Sequence, residues 1–140
     1  MLEQTFCMVK PDGVARNLVL EVKDRIIKSG LKIVDSRMAG ISPDDAKKLY
    51  KVHEGKQFYG GLVKFITSGK VFLMRIEGEN AISTLRAIMG ATDPRKAEPG
   101  TIRGDLKEEN IFTGDGSIKN IIHGSDSKEN AEYELGIFFK

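Results

Sequence analysis

The architecture of this chain begins with its first apolar stretch, Thr5-Phe6-Cys7-Met8-Val9, and the residues that follow it, Lys10-Pro11-Asp12-Gly13. The apolar residues predict a short buried strand, and the Pro and Gly beside charged residues predict a turn that ends it. Cys7 is expected to be a small core residue rather than a reactive thiol. It is the only cysteine, so no internal disulfide is possible, which favours a cytoplasmic location.

The segments after this turn alternate between helical and extended patterns. Apolar residues at helical spacing predict a helix that ends at Gly30, and the next strand covers Leu31–Ile41. Ser42-Pro43-Asp44-Asp45 is typical of a helix start, with a Ser N-cap, a Pro and acidic residues in the first turn. The further predicted elements are, in order, a helix to about Tyr50, a helix Phe58–Ile66, a strand Val71–Ile76, a helix Ala81–Met89, an aperiodic segment 90–119, a strand Ile118–Ile122, and a helix from Asp126 or Ser127 to about Leu135.

This order predicts an α+β fold of the ferredoxin-like β-α-β-β-α-β type. It is a sandwich in which helices cover an antiparallel four-stranded sheet, with a long loop before the last core strand. No linker or repeat divides the chain, so residues 1–140 are expected to form a single domain. Because this fold serves enzymes, regulatory modules and RNA-binding proteins alike, the function has to be inferred from individual residues.

The composition excludes several classes of protein. The chain has 140 residues, 40% of them hydrophobic and 30% charged, and 22 basic against 20 acidic side chains give a net charge of +2. This balance does not favour a nucleic-acid-binding protein. No apolar run approaches the ~20 residues that span a bilayer, and the N-terminal residues do not resemble a secretory signal.

The stretch Asn120-Ile-Ile-His123-Gly-Ser-Asp-Ser127 carries the clearest chemical signal. A histidine and small polar residues follow two apolar residues, at a point where a strand ends and a helix begins. Gly124 would let another backbone or a phosphate come close, and the helix N-terminus would attract an anion. The alternative is that His123 is only a polar residue at a strand end and that Ser-Asp-Ser only caps the helix.

Three basic residues are candidates for binding phosphate: Lys10 after the first strand, Arg86 in a helix, and Arg103 in the aperiodic segment. Arginine binds phosphate oxygens with a planar fork and lysine acts as a point charge, although each alone is more often a surface charge. The chain has no P-loop, no dinucleotide-binding glycine motif and no protein-kinase signature. His53 is not at metal-ligand spacing from His123, and we interpret it as a surface residue.

Four blocks in order give the chain a strong resemblance to the nucleoside diphosphate kinase family, from about Gln4 to Phe139. They are Lys10–Val14, Gly61–Lys64, Pro99–Asp105 and Asn120–Ser127. The resemblance implies that the chain transfers the γ-phosphate of a nucleoside triphosphate to a nucleoside diphosphate through a phosphohistidine, in a ping-pong reaction that maintains nucleotide triphosphate pools. It also implies Mg²⁺ as the cofactor, held mainly by nucleotide phosphates and water.

The resemblance implies a role for each matching residue. His123 would be the nucleophile, Glu134 would orient it, and Tyr50 would lie beside the transferred group. The substrate-binding residues would be Lys10 on phosphate and ribose, Asn120 on ribose, Phe58 on the base, and Arg86, Thr92 and Arg103 on the phosphate chain. Stacking on Phe58 tolerates any base, so a broad range of nucleotides is expected.

The chain departs from the family pattern in three places. The segment between Asp105 and Asn120 is several residues longer than is common, Gln57 stands where a Pro is frequent, and the chain stops soon after Phe139. A homo-oligomer is expected, with a hexamer favoured and a tetramer possible. Two rival functions remain: a nucleotide-sensing relative without catalysis, and an RNA-binding module, for which Gly61–Phe65 is a weak motif. Neither a membrane nor a specific nucleic acid is expected as a partner.

Overall fold

The computed structural model describes residues 2–114 and 116–139. Strands and helices alternate along the chain as an α+β fold. The elements are β1 (Leu2–Val9), α1 (Pro11–Ala15), α2 (Val19–Lys28), β2 (Lys32–Ala39), α3 (Pro43–Leu49), α4 (Tyr59–Ile66), β3 (Val71–Glu79), α5 (Ala81–Met89), α6 (Ile102–Leu106), β4 (Ile122–Gly124) and α7 (Lys128–Phe138). Short 3-10 turns lie at Lys51–His53 and Pro94–Lys96.

The four strands form one antiparallel sheet in the order β2-β3-β1-β4. This is the predicted ferredoxin-like arrangement, in which β1 lies between β3 and β4. The short strand β4 pairs with the end of β1, with Met8 opposite His123. The order therefore brings the end of β1, where Lys10 follows, next to the histidine of the Asn120–Ser127 stretch.

Residues of β1 alternate between two hydrophobic cores, one on each face of the sheet. Cys7 and Val9 face the core that α2 and α5 cover. Phe6 and Met8 face the core that α3, α4 and α7 cover. Successive strand residues point to opposite faces. Because both faces of β1 are buried, the residues Phe6–Val9 are all apolar. Cys7 is fully buried, as expected, and burial raises the pKa of its thiol.

Most predicted elements lie where local sequence signals placed them, and the helix Ala81–Met89 has the predicted bounds. Ser42 caps α3 by accepting a hydrogen bond from the Asp45 N–H at 3.1 Å, and Ser127 caps α7 in the same way through the Asn130 N–H. No helix in the described part of the chain is long and apolar enough to cross a membrane.

Three regions differ from the sequence prediction. The last core strand was predicted at Ile118–Ile122, but β4 runs from Ile122 to Gly124. Ile118 instead pairs with Phe112 in a small hairpin, and Ile121 has a φ of 75°, which an extended strand cannot accommodate. The aperiodic segment also contains the helix α6, and the predicted turn after β1 is the short helix α1.

Gly104 in α6 allows a close approach that no other residue would tolerate. A Cβ atom there would lie 2.2 Å from the Glu98 carbonyl oxygen and 2.8 Å from Thr101 Oγ1. Thr101 Oγ1 also caps α6 by accepting the Gly104 N–H. We expect Gly104→Ala to lower the free energy of unfolding by roughly 1–3 kcal/mol, as overpacking does, measured by urea denaturation.

The matched control for that variant is Gly136→Ala, an exposed position in α7 where a Cβ would meet nothing within 4 Å. Alanine in a helix interior is favoured over glycine by roughly 0.5–1 kcal/mol, so this control should be as stable as the parent or more stable. Equal stability of both variants would contradict the proposed packing of α6.

Candidate active site

One cavity of about 450 Å³ lies where β1, β4, α5 and α7 meet the aperiodic segment. Its volume is in the range of ordinary small-molecule sites. All nine residues singled out from the sequence line it: Lys10, Tyr50, Phe58, Arg86, Thr92, Arg103, Asn120, His123 and Glu134. Residues scattered over more than 120 positions of sequence are thus gathered around one space.

His123 is held by a carboxylate from α7. Its Nε2 lies 2.7 Å from Glu134 Oε1, and the same oxygen accepts a hydrogen bond from Ser125 Oγ at 2.8 Å. An ionised carboxylate only accepts hydrogen bonds, so Nε2 carries the proton and donates it. Below the ring, Phe6 packs at 5.8 Å between centroids. These contacts fix the imidazole and leave Nδ1 as the nitrogen with a free lone pair.

Lys10 and Asn120 form a buried polar pair beside the histidine. Lys10 Nζ donates to Asn120 Oδ1 at 2.9 Å, and Asn120 Nδ2 donates to the Thr92 carbonyl at 2.9 Å. Burial lowers the pKa of Lys10 to about 8, opposed by the carboxylate of Asp12 and assisted by the positive charge of Arg103. The ammonium is therefore a cation that gives up its proton more easily than an ordinary lysine.

Arg103 is both a structural and a chemical group. Its side chain is buried and donates to three backbone carbonyls, those of Asn120 at 3.1 Å, Gly90 at 3.1 Å and Ile122 at 2.6 Å. A guanidinium has five N–H donors, so two are left for a ligand in the cavity. Burial lowers the pKa of Arg103 to about 10, and the nearby charge of Arg86 acts in the same direction.

Arg86 supplies the second guanidinium, and it donates to the Gly124 carbonyl at 3.3 Å. Gly124 permits this contact because α5 packs directly against it. A Cβ there would lie 2.7 Å from Met89 Sδ and 3.0 Å from Leu85 Cδ2. The close protein neighbours of this glycine are thus side chains of α5.

Two aromatic side chains stand at opposite depths of the cavity. Tyr50 is buried, and burial together with the negative charge of Glu134 raises the pKa of its phenol. Phe58 is 52% exposed, so a flat apolar ring is open to a ligand at the mouth. Thr92 lies on the exposed rim. The mouth therefore offers a stacking surface, and the buried cations Lys10 and Arg103 lie deeper, whereas Arg86 is exposed.

The interpretation of His53 as a surface residue was wrong. His53 is partly buried, lines the cavity and packs against Phe58 with the ring centroids 5.2 Å apart. Its Nδ1 is buried without a hydrogen-bond partner among the described residues. Burial and the positive charge of Lys56 lower the pKa of this imidazole. The contact between His53 and Phe58 could not be predicted from the sequence, because it depends on the 3-10 turn Lys51–His53.

Sequence reasoning gave Ser125 and Asp126 no role beyond that of helix-cap candidates, and gave Asn130 none; the cap is Ser127. Ser125 donates to Glu134, while Asp126 and Asn130 line the cavity and hydrogen bond to each other. Asp126 has a lowered pKa, with that hydrogen bond as the main cause. All three belong to the strand end and the first turn of α7. Their position next to His123 in the sequence was the available signal.

A divalent cation would find few protein ligands here. Among the described residues that line the cavity, the carboxylates are Asp126 and Glu134, and Glu134 is occupied by His123 and Ser125. No group of three or more His, Cys, Asp or Glu residues in the described parts of the chain could hold a metal. These residues fit a cation that enters bound to an anionic molecule and is coordinated mainly by oxygen atoms of that molecule and by water.

Comparison with known proteins points in one direction. A family model described as nucleoside diphosphate kinase matches residues 3–140. A nucleoside diphosphate kinase from Bacillus licheniformis is 50% identical over 139 residues, which are 99% of this chain and 89% of that protein. One from Methanocaldococcus jannaschii is 47% identical over 140 residues, covering 100% of this chain and 95% of the relative.

Solved structures of similar proteins agree with this. A halophilic nucleoside diphosphate kinase from Halobacterium salinarum, in complex with CDP, has a TM-score of 0.89 at 44% identity, over 100% of this chain and 89% of the other. A transition state mimic of the enzyme from Borrelia burgdorferi, with bound vanadate and ADP, has a TM-score of 0.91 at 37% identity, over 99% of this chain and 88% of the other.

Proposed function

The chain belongs to the nucleoside diphosphate kinase family and is a nucleotide phosphotransferase, and we propose that it works through a phosphohistidine on His123. In the first half-reaction the γ-phosphate of a nucleoside triphosphate moves to His123, and in the second it moves to a nucleoside diphosphate. This ping-pong cycle would maintain the pools of nucleoside triphosphates. The bound nucleotides of the two similar structures, CDP and ADP with vanadate, support nucleotides as substrates.

The hydrogen bond between His123 Nε2 and Glu134 Oε1 carries this proposal. A neutral imidazole that donates through Nε2 has its lone pair on Nδ1, so Nδ1 is the attacking atom. As Nδ1 bonds to phosphorus, the bond from phosphorus to the leaving oxygen breaks and the diphosphate departs. The ring gains positive charge in this step, and the Glu134 carboxylate stabilises it. In the second half-reaction a terminal phosphate oxygen of the acceptor attacks and the P–N bond breaks.

The three cations of the cavity supply the remaining requirement. Phosphoryl transfer depends mainly on alignment and on compensation of negative charge. We assign Lys10 to the transferring phosphate and the ribose, and Arg86, Thr92 and Arg103 to the rest of the phosphate chain. Arg103 has two N–H donors to spare for this role after its three backbone contacts. Tyr50 would lie beside the transferred group.

The nucleoside would occupy the outer part of the cavity. We assign the base to the exposed ring of Phe58, since stacking does not distinguish strongly between bases. Asn120 would hold the ribose together with Lys10, to which it is already hydrogen bonded. A broad range of nucleotides follows from a base site of this kind.

We propose Mg²⁺ as the cofactor, entering with the nucleotide. Its charge would neutralise the phosphate oxygens and its coordination would fix their geometry. Phosphate oxygens and water would supply most of its ligands, because three cationic side chains line the cavity and the one lining carboxylate among the described residues that does not hold His123 is Asp126. Asp126 could accept a hydrogen bond from a water of that shell.

We propose residues 1–140 as one domain that assembles into a homo-oligomer, with a hexamer preferred over a tetramer, and works in the cytoplasm. The family match over 3–140 supports a single unit, and the lone buried Cys7 is compatible with a reducing compartment. No nucleic acid or membrane is proposed as a partner. A light-scattering mass of a monomer would contradict the assembly.

Lys10 predicts how activity depends on pH. With a pKa of about 8, the Lys10 amine is charged below that pH and neutral above it. Above that pH the free enzyme should therefore attract phosphate less strongly. We expect kcat/KM to fall as pH rises through about 8, because kcat/KM reports groups of the free enzyme. In Lys10→Arg the guanidinium stays charged, so the fall in kcat/KM near this pH should disappear. A fall at the same pH in that variant would assign the titration to another group.

The proposed function is tested by incubating the protein with γ-labelled ATP and Mg²⁺, denaturing it, and measuring label on the chain. We expect label on the denatured chain that is lost in acid and survives alkali. Adding GDP before the protein is denatured should remove this label. Nucleotide that binds without labelling the protein would contradict the phosphohistidine and favour the nucleotide-sensing alternative.

A further inference from the structure

The residue just before β4 adopts a conformation that its side chain disfavours. Ile121 has a φ of 75°, and the Ile122 N–H donates to the Asn120 carbonyl at 2.8 Å across it. This is the pattern of a three-residue γ-turn with a positive central φ, the rare and strained form. A β-branched residue is especially unfavourable there. Such a turn persists only where its surroundings hold it in place.

The segment after β1 hydrogen bonds to both backbone polar groups of Ile121. The Ile121 N–H donates to Asp12 Oδ2 at 3.0 Å, and the Ile121 carbonyl accepts from the Lys10 N–H at 2.7 Å. Gly13 makes the approach possible, because a Cβ there would lie 3.1 Å from the Ile121 carbonyl oxygen and 2.7 Å from Val9 Cγ1. Arg103 donates to the flanking carbonyls of Asn120 and Ile122.

The turn connects groups that the reaction needs. Asn120, before it, bonds to Lys10 Nζ, and His123 comes two residues after Ile121. Asp12 itself is buried and is not among the residues that line the cavity, so its carboxylate is not placed to touch a nucleotide. Apart from the effect of its charge on the pKa of Lys10, Asp12 reaches the site through its contact with Ile121.

We propose that Asp12 is a positioning residue whose hydrogen bond to the Ile121 N–H keeps the γ-turn in register, and with it Asn120 and His123. This inference rests on the proposed function, because the exact position of His123 affects the rate only if its Nδ1 has to attack a phosphorus atom in line. Neither Asp12 nor Ile121 contacts the reacting atoms. The effect of losing the clamp should therefore appear mainly in the rate of transfer, through His123, and to a smaller extent in nucleotide affinity, through Asn120.

The test compares Asp12→Ala with Asp12→Asn. The amide oxygen of asparagine can accept the same N–H, so Asp12→Asn should keep the single-turnover labelling rate within about threefold of the parent. Asp12→Ala should lower that rate by about tenfold to a hundredfold, the scale of a small misplacement at a reacting centre. The Kd for ADP should change little in either variant. A rate equal to the parent in Asp12→Ala, or an equal loss in Asp12→Asn, would overturn the proposal.

A second comparison removes the strain itself. Glycine adopts a positive φ without penalty, so adding Ile121→Gly should make the clamp less necessary. We expect Asp12→Ala to cost several-fold less in the Ile121→Gly background than in the parent, whatever Ile121→Gly costs alone. An unchanged cost would show that Asp12 does not act through the turn.

Amide hydrogen exchange separates this inference from the proposed function. The Ile121 amide should exchange slowly in the parent and in Asp12→Asn and much faster in Asp12→Ala. That result supports the clamp whether or not the protein takes label from ATP, and equal exchange in all three would overturn it. Absence of label on the parent protein would contradict the phosphohistidine alone.

Discussion

Replacing His123 with alanine is expected to abolish covalent labelling from ATP and to reduce nucleotide phosphotransfer by at least about 10⁴-fold, as removal of a nucleophile does. Among the described residues that line the cavity, His123 is the candidate acceptor whose ring a carboxylate orients, with Glu134 Oε1 2.7 Å from Nε2. Three cationic side chains, Lys10, Arg86 and Arg103, line the same cavity. The measurement is labelling of the chain after denaturation, together with a steady-state assay of GTP formation from GDP.

The chain offers a matched control in its other histidine. His53 lines the same cavity, but its contacts are the aromatic rings of Tyr50 and Phe58 and not Glu134. We expect His53→Ala to keep the covalent label and to change chiefly the KM for nucleotides. Label of normal extent on His123→Ala would move the phosphate acceptor elsewhere and overturn the mechanism.

Replacing Glu134 with alanine should have the next largest effect. Glu134 Oε1 fixes the tautomer and the direction of the His123 ring, and a wrong tautomer cost about 10⁴-fold in a catalytic triad. We expect the single-turnover labelling rate of Glu134→Ala to fall by roughly 10²- to 10⁴-fold. The Kd for ADP should stay close to that of the parent, because Glu134 is committed to protein groups.

Ser125→Ala is the control for that variant. Ser125 Oγ donates to the same carboxylate oxygen at 2.8 Å but does not hold the histidine. Its loss should reduce the rate by about tenfold or less, the scale of one hydrogen bond. Parental rates in Glu134→Ala would remove the orienting role, and equal losses in both variants would mean that the carboxylate acts only through its network.

Local sequence signals were sufficient for those parts of the fold that local interactions determine. The Ser42 cap with Pro43 behind it, and the apolar face of Ala81–Met89, predicted α3 and α5 because both signals lie within one or two turns. The sheet order followed from the order of elements, since few ways exist to pack them.

The errors lie where distant residues decide the backbone. Ile118–Ile122 has the composition of a strand, yet partners about 110 positions away bend it at Ile121. Helix α6 is only five residues long and is held by Thr101 and by the close approach at Gly104. Neither interaction leaves a periodic pattern that could be read from the sequence.

For the site, the resemblance to the family supplied the nine residues, and the structure brings them to one cavity; their roles remain predictions. Physical reasoning from single residues would have reached His123 and the three cations at most. Asp12 and His53 escaped because their importance comes from what they touch. A buried carboxylate that accepts one backbone N–H has no sequence motif of its own.

The pairing of β1 with β4 also governs when this molecule becomes competent. β1 joins β4 directly, as at Cys7 and Gly124, so the cavity needs segments that lie more than 110 positions apart in the sequence. Closing a loop of this length is a late and entropically unfavourable step. During synthesis on the ribosome, β1 can pair with β3 as soon as β3 has emerged, but the other edge of β1 must wait for β4. A nascent chain that ends before Glu134 lacks the residue proposed to orient His123, so we expect it to be inactive in phosphotransfer.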